Sequence, residues 1–444
     1  MGIEICAVGG YEEVGKNMTA IKIDDEVIIC DMGLHIENYI RFTEDEDLLN
    51  VNPNDLVNVG AIPDITPIRD WRTKVKAIIP THAHLDHIGA IPFLSNKFDA
   101  PVLATPFSIE VIKSILKNEK IKIRNKLMVL NPNAQYYISD KVKIEFINMT
   151  HSTPQTVMVA IHTPYGIIVY ANDFKFDSYP VLGKPPNYDR LRALGKKGVI
   201  ALIVDTLYAH DARKMPSESV AKEMLRDVLL GTESRGKAIV ITTFSSHLAR
   251  LKSIIEMGKK LNRKIVFCGR SLSKYVEAGE ACKIISFSKD IEMVKFGSKV
   301  KKRMKQIMKQ GKQKFLLVVT GHQGEPKATL SKMVDGQIGF KFSSEDHVIF
   351  SSTVIPTETN RKYHGELERK LKTYGVRIFK DIHISGHAAR EDLRDLVNML
   401  NPKHILPSHA PLDRKLAFSE LAREMGYKPG QIHIIKDGEK LTLN

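Results

Sequence analysis

The sequence predicts an α/β protein that contains a second, Rossmann-like domain within the chain. Three observations predict this: apolar strands that end in polar loops, a long middle region in which helices and strands alternate regularly, and further strand patterns after that region. The chain of 444 residues is long enough for two to three domains at the usual ~150 residues each. Its apolar share of 43% and charged share of 26% are typical of a globular protein and exclude bulk disorder.

The pattern of residues 2–30 predicts short antiparallel strands around a glycine-rich turn. Apolar side chains alternate in Ile3–Val8, and the turn follows at Gly9 and Gly10. Two further short strands are predicted at Thr19–Asp24 and Val27–Cys30, because tight turns between alternating segments favour hairpin pairing.

Polar side chains follow several apolar strands at the point where each strand ends, and helical patterns such as Phe107–Leu116 lie between these strands. Because sites in α/β proteins usually lie at the carboxyl ends of strands, we expect these polar residues to belong to one site. The clearest examples are Lys76–Pro80 before Thr81 and His82, Gly166–Tyr170 before Asn172 and Asp173, and Val199–Val204 before Asp205 and Thr206.

The region from Ser217 to about Leu371 predicts a separate parallel sheet. Helices and strands alternate there with short loops, which is the pattern of β-α-β units. After it, the chain predicts a strand at His404–Leu406 and a hairpin in Ile432–Leu443. The elements predicted within the region are helix Ser217–Leu230, strand Lys237–Thr242, helix Ser246–Leu261, strand Lys264–Cys268 and strand Phe315–Val319.

Composition excludes several classes of protein. The longest apolar run, Val199–Val204, is far shorter than the ~18 residues that a membrane span needs. The N-terminus carries Glu4 and no basic region, which argues against a signal peptide. Four cysteines without a CxxC pair are too few for a disulfide scaffold and wrongly spaced for a zinc ribbon. We therefore expect a soluble, cytoplasmic protein with no membrane partner.

The net charge favours a polyanionic partner. There are 66 Lys and Arg residues against 51 Asp and Glu, a formal net charge of +15, and nucleic-acid affinity comes largely from basic side chains that displace counterions. Nine basic residues lie between Lys295 and Lys314, with Met304, Ile307 and Met308 at helical spacing among them. This segment predicts a basic amphipathic helix, which is either a nucleic-acid contact or a solvated outer face.

Four potential metal ligands lie within six residues directly after a predicted strand. They form an HxHxDH pattern made of His82, His84, Asp86 and His87. His82 and His84 project to the same side if the loop is extended, because side chains then alternate with a period of two. Asp86 and His87 begin a turn, so that one loop can address two adjacent ions. Imidazole and carboxylate ligands together suit Zn²⁺, with Mn²⁺ or Fe as alternatives.

Two ions need more ligands than this loop supplies. Three further candidates, His151, Asp173 and His409, each follow an apolar strand and begin a loop. We expect Asp173 to bridge the two ions. The other expected ligands are His82, His84 and His151 for one ion, and Asp86, His87 and His409 for the other.

Together these residues resemble the metallo-β-lactamase superfamily, with Asp31 closing a strand ahead of the HxHxDH loop. The resemblance implies an αβ/βα sandwich with a dinuclear site. The interval from Asp173 to His409 is too long for a sandwich alone, which implies an inserted domain, as in the β-CASP branch, whose members act on nucleic acids. The expected division is residues 1–206 and 373–444 for the sandwich and residues 207–372 for the Rossmann-like β-CASP domain.

Further segments resemble the ribonuclease J family of that branch, in its archaeal form. The resemblance covers essentially the whole chain. It implies 5′→3′ exonucleolytic degradation of single-stranded RNA with a 5′-monophosphate, by a hydroxide that two zinc ions activate, and leaves endonuclease activity open. The segments are Thr243–His247, Gly269–Ser271, Thr320–Pro326, Ser351–Pro356 and His383–Ala389.

The resemblance also implies catalytic roles for His387, Asp86, Asp205 and Asp31. We expect His387 to stabilise phosphoryl charge or to protonate the leaving oxygen, since a histidine can do either near neutral pH. We expect Asp31 and Asp205 to accept the distal N–H of a histidine and so to fix its tautomer.

A 5′→3′ exonuclease needs a pocket for the terminal phosphate. Backbone amides near Ser385 and Gly386 are candidates for an anion nest, and Ser245 lies close to a predicted helix start, which suits phosphate. The alternative for each serine is a helix cap. The expected substrate-binding residues are Ser245, Ser246, His247, Arg270, His383, Ile384, Ser385, Gly386 and His387.

Other functions stay open at this point. An RNA-processing endonuclease of the same branch would cut substrates with blocked 5′ ends. A small-molecule metallo-hydrolase is disfavoured, because the inserted domain and the basic helix suit a polymer. A non-catalytic RNA-binding subunit is disfavoured, because all seven expected ligands are intact. The resemblance further implies a homo-oligomer, with a dimer favoured.

Overall fold

The computed structural model describes residues 2–43, 52–355 and 357–443, which form two compact units. Unit 1 comprises Met1–Ser178, Gly183–Met215 and Ser385–Asn444, and unit 2 comprises Tyr179–Leu182 and Pro216–Ile384. These changeovers lie later in the chain than the boundaries expected after residues 206 and 372. The first is later because Tyr208 forms a bridge with Ala389 and Met215 N–H donates to Asp392, both in unit 1. The second is later because the strand at Arg377–Phe379 still pairs within the sheet of unit 2. Pro356, the end of one of the family-like segments, lies outside the described residues.

Unit 1 contains two mixed sheets. The first has the order β19-β1-β2-β3-β4-β5-β6 and the second β18-β11-β10-β9-β8-β7. The strands of the first are β1 (Ile3–Gly9), β2 (Met18–Ile23), β3 (Glu26–Cys30), β4 (Val75–Ile79), β5 (Val102–Ala104), β6 (Leu127–Val129) and β19 (Lys440–Leu443). Those of the second are β7 (Gln135–Tyr137), β8 (Lys143–Asn148), β9 (Val157–Thr163), β10 (Gly166–Ala171), β11 (Val199–Asp205) and β18 (His404–Ser408).

The strand directions confirm one prediction and correct another. β1, β2 and β3 pair antiparallel, as the first thirty residues predicted. The hairpin predicted within Ile432–Leu443 is wrong: β19 pairs with β1, and Ile432 forms a single bridge with Ile405. The two ends of this segment belong to different sheets, and each sheet offers an apolar strand with which the chain pairs instead of folding back on itself.

The two sheets of unit 1 share one hydrophobic core. Ile5 and Ile28 from the first sheet and Phe146 and Val159 from the second are fully buried in it. Side chains alternate between the faces of a strand, so one face of each sheet supplies this core. A second core lies between the other face of the second sheet and three helices, α6 (Tyr188–Lys197), α13 (Arg390–Leu400) and α14 (Leu412–Glu424).

The remaining helices of unit 1 lie between strands of the first sheet. The predicted helix at Phe107–Leu116 is confirmed and buries Phe107, Ile109, Val111 and Ile112. In the described part of this region the helices are α1 (Ile36–Thr43), α2 (Pro53–Asn58), α3 (Leu85–Ile88), α4 (Ile91–Leu94) and α5 (Pro106–Asn118). Short 3₁₀ segments are Thr66–Lys74 and Ser95–Lys97 in this region, Pro429–Gln431 near the C-terminus, and Lys312–Lys314 in unit 2.

Unit 2 contains a fully parallel sheet, which confirms the Rossmann-like prediction. Its order is β14-β13-β15-β12-β16-β17. The strands are β12 (Ile239–Thr242), β13 (Lys264–Cys268), β14 (Ile291–Val294), β15 (Phe315–Val319), β16 (His347–Phe350) and β17 (Arg377–Phe379). The helices are α7 (Glu218–Gly231), α8 (Leu248–Lys260), α9 (Arg270–Ala281), α10 (Gly297–Gln310), α11 (Thr329–Val334) and α12 (Glu358–Thr373). Of the helices in the described ranges, none combines the length and the apolar character that crossing a bilayer requires.

Candidate metal centre

The expected ligands lie at the carboxyl ends of strands in both sheets of unit 1. In the first sheet β3 and β4 are parallel neighbours, so Asp31 lies beside the HxHxDH loop. In the second sheet β8, β10, β11 and β18 all run in one direction, because β9 lies antiparallel between β8 and β10. The residues at or just after their ends are His151, Asp173, Asp205 and His409.

Three of these residues have a left-handed backbone. The φ angles are +60° at Asp31, +53° at Asp173 and +55° at His409. Residues other than glycine seldom adopt a positive φ angle. Backbone strain of this kind is typical of residues whose placement is fixed by a functional site. Each of the three lies directly after a strand or one residue beyond it, where the chain turns sharply.

The HxHxDH loop is held close to the turn after β3. Met32 N–H donates to the His87 carbonyl at 2.8 Å, and Asn17 N–H donates to the Asp86 carbonyl at 3.0 Å. A Cβ atom at Gly33 would lie only 1.6 Å from the Asp86 carbonyl oxygen, so no side chain fits there. The loop therefore depends on glycine at position 33 for its backbone contact.

The first expected ligand set converges within one small volume. Ligand atoms of His82, His84, His151 and Asp173 all lie within 4.8 Å of one another. The His84 Nδ1 atom lies 3.1 Å from both His82 Nε2 and His151 Nε2. One carboxylate oxygen of Asp173 lies 3.5 Å from each of those two Nε2 atoms.

The three histidine rings of this set are held in the neutral form, which can bind a cation. The Nδ1–H of His151 donates to the Gly386 carbonyl at 2.7 Å, which leaves a lone pair on Nε2. Burial is the main cause that lowers the pKa values of His82, His84 and His151 well below the ordinary histidine value. Lone pairs of neutral rings that point at one another repel unless a positive charge lies between them.

The second expected set shares Asp173 with the first. Ligand atoms of Asp86, His87, Asp173 and His409 lie within 4.8 Å of one another. One oxygen of Asp173 lies 3.2 Å from His87 Nε2, and the other lies 3.4 Å from His409 Nε2. The latter oxygen, Oδ1, is buried and has no hydrogen-bond partner in the described part of the chain. A buried carboxylate oxygen without a hydrogen bond is costly, and a bridging cation would satisfy it.

The pKa values of two residues in this second set, Asp173 and His87, are strongly shifted. Burial raises the pKa of Asp173, but His409 and His87 outweigh it and hold the pKa well below its ordinary value. Burial likewise opposes charge on His87, but Asp173 and Asp31 raise its pKa well above the usual range. The donor set of imidazoles and carboxylates, with one shared carboxylate, fits two zinc-type ions.

Two residues orient the rings of the second set from outside. His87 Nδ1–H donates to Asp31 at 2.8 Å, and Asp31 also accepts from the backbone N–H of Thr81 at 2.7 Å. On the other side, His409 Nδ1 lies 2.8 Å from the side-chain oxygen of Asn17. Asn17 was missed by sequence reasoning; its only sequence signal was a position near the end of the glycine-rich turn.

His387 lies beside the ligands and is paired with Asp205. Its Nδ1–H donates to Asp205 at 2.7 Å, and the ring stacks on His409 at a centroid distance of 5.6 Å. Burial opposes charge on His387, but the carboxylates of Asp173 and Asp205 raise its pKa to about 9. A third group of ligand-type atoms, from Asp205, His387 and His409, also lies within 4.8 Å.

Two aromatic residues that sequence reasoning missed extend this stack. The ring of Tyr208 lies 6.0 Å from His387 with an interplanar angle of 30°, and the ring of His210 lies 6.1 Å from Tyr208 at 25°. His210 is exposed, so the four rings run from the buried His409 to the surface of unit 1. The only signal in the sequence was their position just after Asp205.

The expected phosphate-binding residues divide between the two units. Ser385, Gly386 and His387 belong to unit 1, and the Ser385 hydroxyl accepts from the backbone N–H of His387 at 3.2 Å. The others, in unit 2, are Ser245, Ser246, His247, Arg270, His383 and Ile384.

Within unit 2, some of these side chains have clear structural contacts. His247 caps α8, where its Nδ1 accepts from the Arg250 backbone, and it lies 3.3 Å from the buried Glu218. The hydroxyls of Ser245 and Ser271 lie 2.9 Å apart. Arg270 begins α9 and is exposed.

Three family models match the chain. The beta-CASP domain of Ribonuclease J matches residues 236–363, the Zn-dependent metallo-hydrolase RNA specificity domain matches residues 373–434, and the Metallo-beta-lactamase superfamily matches residues 13–113. A solved structure from Enterococcus faecalis V583, described as a protein of unknown function, is 16% identical and covers all of both chains with a TM-score of 0.66. That structure supports the fold alone.

Curated relatives match over 99% or more of the length of this chain. A protein named Ribonuclease J from Methanocaldococcus jannaschii is 41% identical and aligns over 100% of this chain and 99% of its own length. A protein of the same name from Pyrococcus abyssi is 41% identical over 99% of this chain and 97% of its own. Ribonuclease J 1 from Streptococcus pyogenes is 31% identical over 99% of this chain and 74% of its own. The resemblance drawn from the motifs is thereby confirmed, and the chain belongs to the ribonuclease J family.

Proposed function

We propose that this chain is a zinc-dependent 5′→3′ exoribonuclease that degrades single-stranded RNA with a 5′-monophosphate. The names of its full-length relatives and the cluster of histidines and carboxylates support a metal-dependent ribonuclease. The observation that carries the proposal is the pair of ligand sets joined through Asp173, with His387 beside them.

Two zinc ions are the proposed occupants, with manganese as the alternative. When bound, such ions lower the pKa of water and neutralise charge on the scissile phosphate. The chain's own residues would fix the geometry. Asp31 holds the His87 ring, Asn17 holds the His409 ring, and the Gly386 carbonyl holds the His151 ring.

His387 is the proposed proton donor to the leaving oxygen. Asp205 accepts its Nδ1–H, so Nε2 is the atom with which the ring can reach a phosphate or a leaving oxygen. Stacking contacts with His409 and with Tyr208 restrict the orientation of the ring. The same hydrogen bond would keep the tautomer constant through a catalytic cycle.

The direction of decay depends on recognition of the RNA end. We propose that Ser385 and Gly386 contact the 5′-phosphate, because their backbone lies next to His151 and His387. The residues in unit 2 are proposed as RNA contacts on the family resemblance alone. A homodimer in the cytoplasm is proposed on the same ground, and sedimentation analysis of the purified protein would test the dimer.

One digestion tests the proposal. An RNA with a 5′-monophosphate and a 5′ label is incubated beside its 5′-triphosphate twin, with and without a chelator. Release of labelled mononucleotide from the monophosphate RNA alone, abolished by the chelator, is the expected result. Equal internal cutting of both RNAs would be consistent with a metal-dependent ribonuclease but would contradict the exonuclease, and would show an endonuclease instead. Hydrolysis that continues unchanged in the presence of the chelator would contradict the proposal that metal ions are required.

A further inference from the structure

We propose that the outward face of α10 in unit 2 is an RNA-binding surface, in addition to the metal centre of unit 1. This inference rests on the proposed function, because it takes single-stranded RNA as the substrate. The surface consists of the exposed side chains of Lys301, Lys302, Lys305 and Lys309 on α10, together with the exposed ring of Phe296 just before the helix.

The helix has a narrow buried stripe and a basic stripe on the opposite side. Val300, Met304 and Ile307 are buried in the core of unit 2. The four lysines are exposed. At 3.6 residues per turn, Lys302, Lys305 and Lys309 lie on the far side of the helix from the buried stripe, and Lys301 lies on the adjoining flank. The rise of about 1.5 Å per residue gives this stripe a length of about 12 Å, enough for more than one phosphate of an extended strand.

The lysines of the surface lack counter-charges. Two acidic residues that precede the helix in sequence pair with cations outside this group of four lysines: Glu292 accepts from Arg303 at 2.7 Å, and Glu277 pairs with Lys295. Over the residues that the structure describes, Lys301, Lys302, Lys305 and Lys309 form no ion pair. The sequence also has no Asp or Glu between Met293 and Gly324.

This arrangement differs from that of an ordinary solvated helix. Lys301, Lys305 and Lys309 follow one another at a spacing of four residues, so that like charges lie one above the other and destabilise the helix. A solvated surface usually intersperses acids at such positions, as α12 does where Lys372 lies 2.9 Å from Glu368. A polyanion removes the repulsion, because its phosphates supply the missing negative charge.

An exposed aromatic ring points to a single-stranded nucleic acid as the polyanion. Phe296 precedes α10 and is 53% exposed, and the Lys299 ammonium lies 5.9 Å from the centre of its ring. A ring on which a base can stack, next to cations that contact the backbone, is the usual combination in proteins that bind single strands without sequence preference. An acidic protein segment would use the lysines but not the ring.

The test compares three forms of the full-length protein loaded with zinc. They are the wild type, the quadruple variant K301Q/K302Q/K305Q/K309Q, and F296L. The probe is a labelled single-stranded RNA of about 30 nucleotides with phosphorothioate linkages that resist cleavage, and affinity is measured over a series of salt concentrations. A matched control, K76Q/K117Q/K264Q/K436Q, removes the same charge from four exposed lysines on separate elements.

We expect the quadruple variant to lose about 0.7 from the slope of log affinity against log salt for each phosphate contact removed, and to bind at least about tenfold more weakly at low salt. F296L should lose about fivefold in affinity with an unchanged slope. A quadruple variant with the slope of the control would overturn the proposal. Binding of polyglutamate, rather than RNA, that depends on the four lysines would overturn it in favour of an acidic protein partner.

A second measurement separates this proposal from the proposed function. Hydrolysis of bis(p-nitrophenyl) phosphate reports on the metal centre without any RNA contact, and all four proteins should hydrolyse it equally. If the wild type hydrolyses neither this compound nor RNA, the proposed function fails, while the salt slopes still decide whether α10 binds RNA.

Discussion

The Nδ1 atom of His387 lies 2.7 Å from a carboxylate oxygen of Asp205, although 182 positions separate the two residues in the chain. All of unit 2 except one short segment lies between them in sequence. The contact is possible because the chain leaves unit 1 after Met215 and returns at Ser385, and the two ends run side by side. A backbone bridge between Tyr208 and Ala389 and a hydrogen bond from Arg390 N–H to the Asp211 carbonyl join them.

Replacing His387 should remove activity without removing metal. H387A is expected to lower the rate of RNA hydrolysis by about 10²- to 10⁴-fold, the usual contribution of a general acid, while both ions stay bound. Metal content by mass spectrometry and the rate on 5′-monophosphate RNA check this. H433A, which removes a partly exposed histidine of unit 1, serves as the control. Loss of an ion in H387A would instead make His387 a ligand.

Asn17 should control the second ion through His409. N17A removes the oxygen that accepts from His409 Nδ1, and we expect the affinity for that ion to fall about 10- to 100-fold. N17D keeps an acceptor at the same position and should largely restore the affinity. The measurement is RNA hydrolysis as a function of free zinc. Identical metal dependence in N17A and the wild type would contradict the positioning role.

A methyl group at residue 386 should disturb the first ion. A Cβ atom at Gly386 would lie 2.8 Å from His151 Nδ1, too close for the present ring position. G386A is therefore expected to bind fewer ions per chain, with affinity lowered about 10- to 100-fold at the displaced ligand. G365A is the control, since a Cβ at Gly365 meets no atom within 4 Å. Equal zinc content in both variants would show that the ring adapts.

A bulky side chain at residue 385 should separate decay from the 5′ end from internal cleavage. S385F fills the space next to the His387 backbone, and we expect it to suppress degradation that depends on a 5′-monophosphate by at least about tenfold, a loss of 1.4 kcal/mol or more. Any internal cleavage should persist. S385A removes only the hydroxyl and serves as the control. Equal loss of both activities in S385F would refute a role confined to the terminal phosphate.

Glu145 should stabilise unit 1 in a pH-dependent manner. Burial opposes its ionised form, but His162 and Arg190 outweigh it and lower its pKa from 4.5 to about 2. Since the folded pKa is depressed, this stabilisation is complete above pH 4.5 and is lost as the pH falls toward 2.

The matching variant is E145Q, studied by calorimetry after removal of metal. Its melting temperature should be lower at pH 7, for a loss of about 1.5–3 kcal/mol, and the difference from wild type should shrink below pH 4.5. E110Q, which removes a more exposed partner of Lys113, should show neither effect. A difference in melting temperature that stays constant down to pH 3 would contradict the assignment.

The candidate ligands that the structure brings together could be predicted because each carries a local signal. His82, Asp173 and His409 lie where an apolar run ends, and the ends of parallel strands meet at one edge of a sheet. Asn17 and Tyr208 carry no such signal, since their roles arise from contacts with residues that are distant in sequence, such as His409. The expected hairpin near Asp437 failed for the same reason, because β1 competes for the strand from the other end of the chain.

The basic helix α10 could be predicted only in part. The sequence predicted its amphipathic pattern but left its role open, because charge alone does not reveal which lysines have partners. The structure separates Arg303, which pairs with Glu292, from Lys305, which does not.

The strand that carries His409 joins β11 only after the inserted unit has been made, which bears on protein synthesis. A nascent chain that has grown to the end of unit 2 contains the HxHxDH loop, His151 and Asp173, but neither His387 nor His409. Such a chain lacks one of the candidate ligands of the second set and the proposed proton donor. On the roles proposed for His387 and His409, we expect this ribonuclease to hydrolyse no RNA while it is still attached through the ribosome to the message that encodes it.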